Sequence, residues 1–139
     1  MSERDAVLFA HAAFYAAFSN RDMKAMGEAW SKTMPVSCIH PGWDILHGRE
    51  AVLQSWQGIL RNPKSPKVKI HNERVTVCGD TAIVTCVEDL DGDQFCIATN
   101  VFTRDGSTWH LVHHHGGPAN MDPSALEPSE DEKPLGPIN

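Results

Sequence analysis

The sequence lacks several features that would assign it to a class at once. No apolar run approaches the roughly 18 residues a membrane span requires, so no membrane partner is expected. None of the four cysteines, Cys38, Cys78, Cys86 and Cys96, forms a CxxC pair. A structural zinc motif and a thioredoxin-type redox motif are therefore absent, and the thiols read as buried side chains in a reducing compartment. Basic residues are the minority, with 12 Lys and Arg against 18 Asp and Glu. They are also scattered, which argues against nucleic-acid binding. The start, MSERDAVLF, is acidic and mixed and carries no secretory signal, so a cytoplasmic protein is expected.

At 139 residues the chain suits one domain with a real core. The net charge of −6 is uneven. From Pro118 onward there are five acids and one base, whereas residues 1–117 are nearly neutral. Val7, Ala10, Phe14 and Phe18 lie at helical spacing over residues 3–19, with Ser2 and Asp5 as a capping box and Asn20 as a stop. A shorter helix carries Met23, Met26 and Trp30, and the two should form a hairpin. A short strand over 36–40 ends at Pro41-Gly42, and residues 44–47 read as a second extended piece. A third helix then places Val52, Trp56, Ile59 and Leu60 on one face. Turn signals at Gly79-Asp80, Asp91-Gly92 and Asp105-Gly106 divide residues 67–116 into a four-stranded antiparallel meander. Apolar residues fall on both faces of that sheet, which calls for cover on both. Residues 118–139, rich in proline and acids, read as a mostly disordered tail.

The order helix, helix, bent short strands, helix and meander resembles the NTF2-like, or SnoaL-like, α+β cone, a curved antiparallel sheet wrapped around three N-terminal helices. HAAFYAAFSNRDMKAMGEAWS resembles the family's helical hairpin, CIHPGWDILHGREAVLQSW its bend and third helix, and IATNVFTRDGSTWHLVHHHGGP its last two strands. The resemblance covers about residues 5–117, within a SnoaL-like domain expected at 1–117. It implies a homodimer through the outer sheet face and a pocket between the inner face and the helices. Fold alone does not transfer an activity. The family's enzymes rely on placed acids, tyrosines or an Asp-Arg-Asp set, and this chain matches none of these sets. Its only tyrosine, Tyr15, lies on the first helix.

In the last hairpin, a two-residue Asp105-Gly106 turn pairs Asn100 with Leu111, Ala98 with His113 and Cys96 with His115. Asn100, His113 and His115 then share the inner face, and His110 and His114 point outward, unless a β-bulge reverses part of the strand. Glu88 joins the Asn100 face if the Asp91 turn has three residues and lies opposite if it has two. The favoured reading is a solvated carboxylate at the rim. His40 at the strand end, with Cys38, Trp43 and Trp56 around it, suits a mostly apolar ligand carrying one or two polar atoms. A metal site at His113 and His115 lacks a second ligand motif, so neither a metal nor another cofactor is expected. The leading expectation is a homodimeric protein that binds a small, largely apolar molecule. Trp43, Trp56, Cys38, Glu88 and His115 would line its site. The alternatives are a metal-free acid/base isomerase, cyclase or dehydratase, with His113 or His40 as base and Asn100 as orienting donor, and an interaction module that binds through the acidic tail.

Overall fold

The computed structural model describes residues 2–92 and 94–130. Helix α1 spans Glu3–Ser19, and Ser2 Oγ caps it by accepting the Asp5 N–H at 3.1 Å. Helix α2 spans Met23–Ala29 and is capped in the same way by Asp22 Oδ1, which accepts the Ala25 N–H at 3.0 Å. Strands β1 (Ser37–Ile39) and β2 (Leu46–His47) flank the bend, and α3 spans Arg49–Arg61. Gly48 precedes α3 at φ +89°, a conformation that a side chain would strain. The first residue of α3, Arg49, ties the helices together. Its guanidinium donates to the carbonyls of Gly27, Trp30 and Ser31 at 2.8, 2.8 and 3.1 Å. These are the groups that the end of α2 leaves without helical partners.

The long strands are β3 (Val68–Cys78), β4 (Thr81–Leu90), β5 (Gln94–Asp105) and β6 (Thr108–Pro118). Among the described residues they form one sheet in the order β2-β1-β6-β5-β4-β3, with β1 running parallel to β6. The helices cover the inner face. Phe14, Met26, Trp30, Trp56, Phe102 and Leu111 are fully buried between the two layers. The outer face keeps Ile83 and Ile97 each 42% exposed.

Two β-bulges decide which side chains face inward. On β3, Asn72 and Glu73 together oppose Cys86, because His71 pairs with Val87 and Arg74 with Thr85. Asn72 sits at φ +56°, in the left-handed region that Asn tolerates better than most residues. On β6, Phe102 pairs with Leu111 but Val101 pairs with His113, so Val112 is the extra residue. Burial along β6 changes parity at that point, from Trp109 and Leu111 to His114 and Gly116.

The segment after β6 also departs from expectation. Residues 118–130 are not a free tail. A 3-10 turn at Pro123–Ala125 leads to a bridge between Pro128 and His71 on β3. Residues 131–139, the rest of the expected tail, lie outside the described residues. No helix among the described residues is long and apolar enough to cross a membrane.

Candidate active site

The inner face holds a connected set of buried polar groups with Asn100 at its centre. Asn100 is fully buried, and its amide nitrogen lies 3.0 Å from both His11 Nε2 and Tyr15 Oη. Its oxygen lies 2.6 Å from His114 Nδ1. These contacts set the hydrogen-bond directions. The amide donates to His11 Nε2, which puts the His11 hydrogen on Nδ1, and Nδ1 donates to Glu73 Oε2 at 2.7 Å. Tyr15 accepts from Asn100 and donates to Glu88 Oε2 at 2.7 Å. His114 donates from Nδ1, so its Nε2 lone pair faces Glu88 Oε2 at 4.0 Å.

Burial controls the charge states. It lowers the His114 pKa to about 3 and raises that of Glu88, an effect that the Tyr15 hydrogen bond partly offsets. Burial thus works against charge on both members of the pair. The Tyr15 hydroxyl is pushed well above its usual value by burial, with Cys86 and Glu88 adding to the shift. A carboxyl group with a raised pKa, a phenol and an imidazole lone pair within one cluster can give a proton and take one back.

A second group adjoins the first. His40 Nε2 lies 2.9 Å from Ser55 Oγ, whose own hydrogen goes to the Val52 carbonyl at 2.6 Å, so His40 is the donor. Burial lowers the His40 pKa to about 4 and pushes the Cys38 thiol up to about 12. Trp56 packs between the groups, with ring centroids 4.9 Å from His40 and 5.8 Å from His114.

A cleft of about 700 Å³ opens at the mouth of the cone, where Leu90, Gln94, Phe95, Cys96 and Met121 line it. Pro41 and Cys96 stand at its Glu88 side. Cys96 is the cross-strand partner of Glu88. Gly116 lies buried behind Pro41: a Cβ there would be 3.3 Å from Glu88 Oε1 and 3.6 Å from both His114 Nε2 and Pro41 Cγ.

The expected site is thus partly reassigned. Asn100, His40 and Cys38 are buried on the inner face, as the strand alternation implies. Glu88 is there too, only 3% exposed, because the β4–β5 turn has three residues. The solvated rim reading of Glu88 is therefore corrected. His113 and His115 are corrected as well. The β6 bulge turns them to the outer face, where His113 Nδ1 lies 2.7 Å from Ser37 Oγ and His115 is exposed. His114 takes the inward place. The turn itself sits one residue later than expected, with Asp105 paired to Thr108. Trp56 belongs to the core, whereas Trp43 is 49% exposed and touches only the edge of the site through His40. His11, Glu73, Ser55 and His114 were absent from the expected set. The signal available for Glu73 was an Asn in mid-strand, and for His114 the change of apolar parity after Leu111. Among the described residues no group of three or more His, Cys, Asp or Glu is placed to hold a metal.

The sequence profile of the SnoaL-like domain matches residues 7–121. The chain belongs to the SnoaL-like family. A dehydratase candidate of the NTF2-like family from Streptomyces avermitilis is 33% identical, with a TM-score of 0.77 over 84% of this SnoaL-like chain and 95% of that one. A candidate calcium/calmodulin-dependent protein kinase type II association domain from Thiobacillus denitrificans is 30% identical, with a TM-score of 0.71 over 80% and 93%. F-box protein SKIP8 of Arabidopsis thaliana is 31% identical over 119 residues, which are 84% of the SnoaL-like chain. The chain spans about half the length of that curated relative.

Proposed function

We propose that this SnoaL-like chain binds a small, largely apolar molecule in the mouth cleft, with the molecule's polar end turned toward Glu88. The position of the cleft carries the reading. About 700 Å³ of mainly apolar space ends on Pro41 and Cys96, beside the buried Glu88 carboxyl. That volume suits a small ligand, and the amides of Gln94 and Asn120 offer it polar contacts at the rim. The Glu88 carboxyl, its pKa raised by burial, with Tyr15 and the His114 Nε2 lone pair, favours a second reading in which the bound molecule also exchanges a proton.

2-Tetralone, a bicyclic ketone, tests both readings. Backbone resonances of Leu90, Cys96 and Met121 are expected to shift on titration, and Leu90→Trp, which fills the cleft, should abolish the shifts. If saturating ketone moves none of them, the binding reading fails. In deuterium oxide the chain should accelerate exchange of the hydrogens beside the carbonyl, and Glu88→Gln should lose about 10²-fold of that rate. Binding without exchange would remove the acid/base reading and leave the first intact.

The exposed Ile83 and Ile97 favour a second copy of the chain on the outer sheet face. Sedimentation at micromolar concentration should give a dimer, and Ile83→Lys should shift it to monomer. A wild-type monomer under those conditions would sink the proposal.

A further inference from the structure

A second cleft, of about 280 Å³, lies between α1 and β3 on the far side of the buried cluster. His11, Tyr15 and Glu73 line its floor, and Ser129 stands among its walls. Cys86 lies just beneath, 3.9 Å from His11 Nε2 and 3.5 Å from Tyr15 Oη, and it is 3% exposed.

The segment Leu126–Glu130 crosses this cleft and is tied down at both ends. The Glu127 N–H donates to Asn72 Oδ1 at 2.6 Å, and the Asn72 N–H returns a bond to the Glu127 carbonyl at 3.2 Å. The Glu130 N–H donates to Glu73 Oε1 at 2.9 Å, while Arg4 holds the Glu130 carboxylate at 3.0 Å. Glu73 therefore serves two structures at once. One oxygen anchors the crossing segment, and the other holds His11 in the tautomer that accepts from Asn100.

We propose that Leu126–Glu130 is a strap that closes a lateral entrance to the buried cluster, and that its release admits water and small solutes to Glu73, His11 and Cys86. Asn72, His71, Glu73 and Arg4 hold a half-exposed segment that adds little apolar burial. It is the kind of element that opens locally without unfolding the domain. The bulge at Asn72 is what makes the strap possible. It turns the Asn72 amide and the Glu73 carboxylate toward the crossing segment instead of along the regular ladder. The proposal does not depend on what binds in the mouth cleft.

Thiol accessibility tests it in the full chain. N-ethylmaleimide is added under native conditions, and alkylation is resolved by site with peptide mass spectrometry. The exposed Cys78 serves as the fast reference, and the fully buried Cys38, distant from the strap, reports global unfolding. Glu130→Pro removes the N–H that reaches Glu73. Asn72→Gly removes the side-chain acceptor of the Glu127 N–H while keeping the backbone bond to the Glu127 carbonyl, and it suits the φ of +56° at that position. Either variant should speed Cys86 alkylation about tenfold, the change in open population expected from losing one anchoring hydrogen bond, with Cys38 unchanged. Unchanged Cys86 reactivity in both variants would overturn the strap. So would a rise in Cys38 in step with Cys86, because the opening would then be global; if one variant does not fold, the other decides.

Discussion

Between pH 7.5 and 4.5 the exclusion of protons from His114 and His40 is expected to remove on the order of 5 kcal/mol of stability, comparable to the whole stability of a marginal domain. His114 and His40 are buried as neutral rings, with pKa values lowered to about 3 and about 4 from the ordinary 6.5. Below about pH 6.5 each imidazole binds a proton in the unfolded chain that it refuses in the folded one. Each therefore destabilises the fold by ~1.4 kcal/mol per pH unit, down to its own folded value. His113, lowered by partial burial and by His115, adds in the same direction. Glu88 acts with the opposite sign. Its raised folded pKa means that the fold holds a proton the unfolded chain releases above about 4.5, so acidification relieves a penalty there. Glu88 therefore offsets part of the histidine cost, and the two imidazoles with His113 should still carry stability downward across this window. Urea midpoints at pH 7.5, 6, 5 and 4.5 measure it, and His114→Gln should flatten the curve. Equal midpoints at pH 7.5 and 4.5 would show that these rings are not held neutral.

Replacing Asn100 by Ala is expected to cost about 3–5 kcal/mol, a large loss for one side chain. The amide makes contacts with His11, Tyr15 and His114, all of them on buried partners. Its removal leaves the His114 Nδ1–H without an acceptor and the His11 Nε2 without a donor, inside a dry interior where each orphan costs roughly 1–3 kcal/mol. Asn100→Leu separates this from the cavity effect. Leucine fills the space with apolar atoms, so a loss as large as that for Ala assigns the cost to the stranded polar groups. Denaturation of both variants in urea at pH 7.5 makes the comparison. A loss below about 1 kcal/mol in the Leu variant would show that the cluster is slack enough to re-pair.

The parts of this fold that follow from periodicity and turn chemistry are readable in the sequence. The α1 stripe of Val7, Ala10 and Phe14 and the Gly79-Asp80 turn needed no tertiary knowledge, because each is a local pattern with a local cause. The identity of the inward histidine is of another kind. Strand alternation propagates a face assignment from a turn, and a single unpaired residue reverses everything beyond it. Val112 does this to His113, His114 and His115, and Asn72 does it to Glu73. Alternation alone therefore puts the wrong imidazoles beside Asn100 while correctly placing Asn100 itself, which lies on a strand without an extra residue. His11 was hidden for a different reason. A histidine within a run of alanines on a helix gives no sign of its distant partner, Glu73, which lies 62 residues along the chain.

The run His113-His114-His115-Gly116-Gly117 makes the part of β6 beyond the Val112 bulge tolerant of sliding in one direction. The inner face needs an imidazole opposite Asn100 and, two residues later, no side chain, because a Cβ at Gly116 would approach the Glu88 carboxyl to 3.3 Å. A shift that brings each following residue one place forward would seat His115 and Gly117 in those same two positions, and both requirements would still be met. The opposite shift would bring His115 to the glycine position and drive a ring against Glu88. A register error toward the C-terminus is thus chemically silent at the site, whereas one toward the N-terminus is rejected by steric conflict.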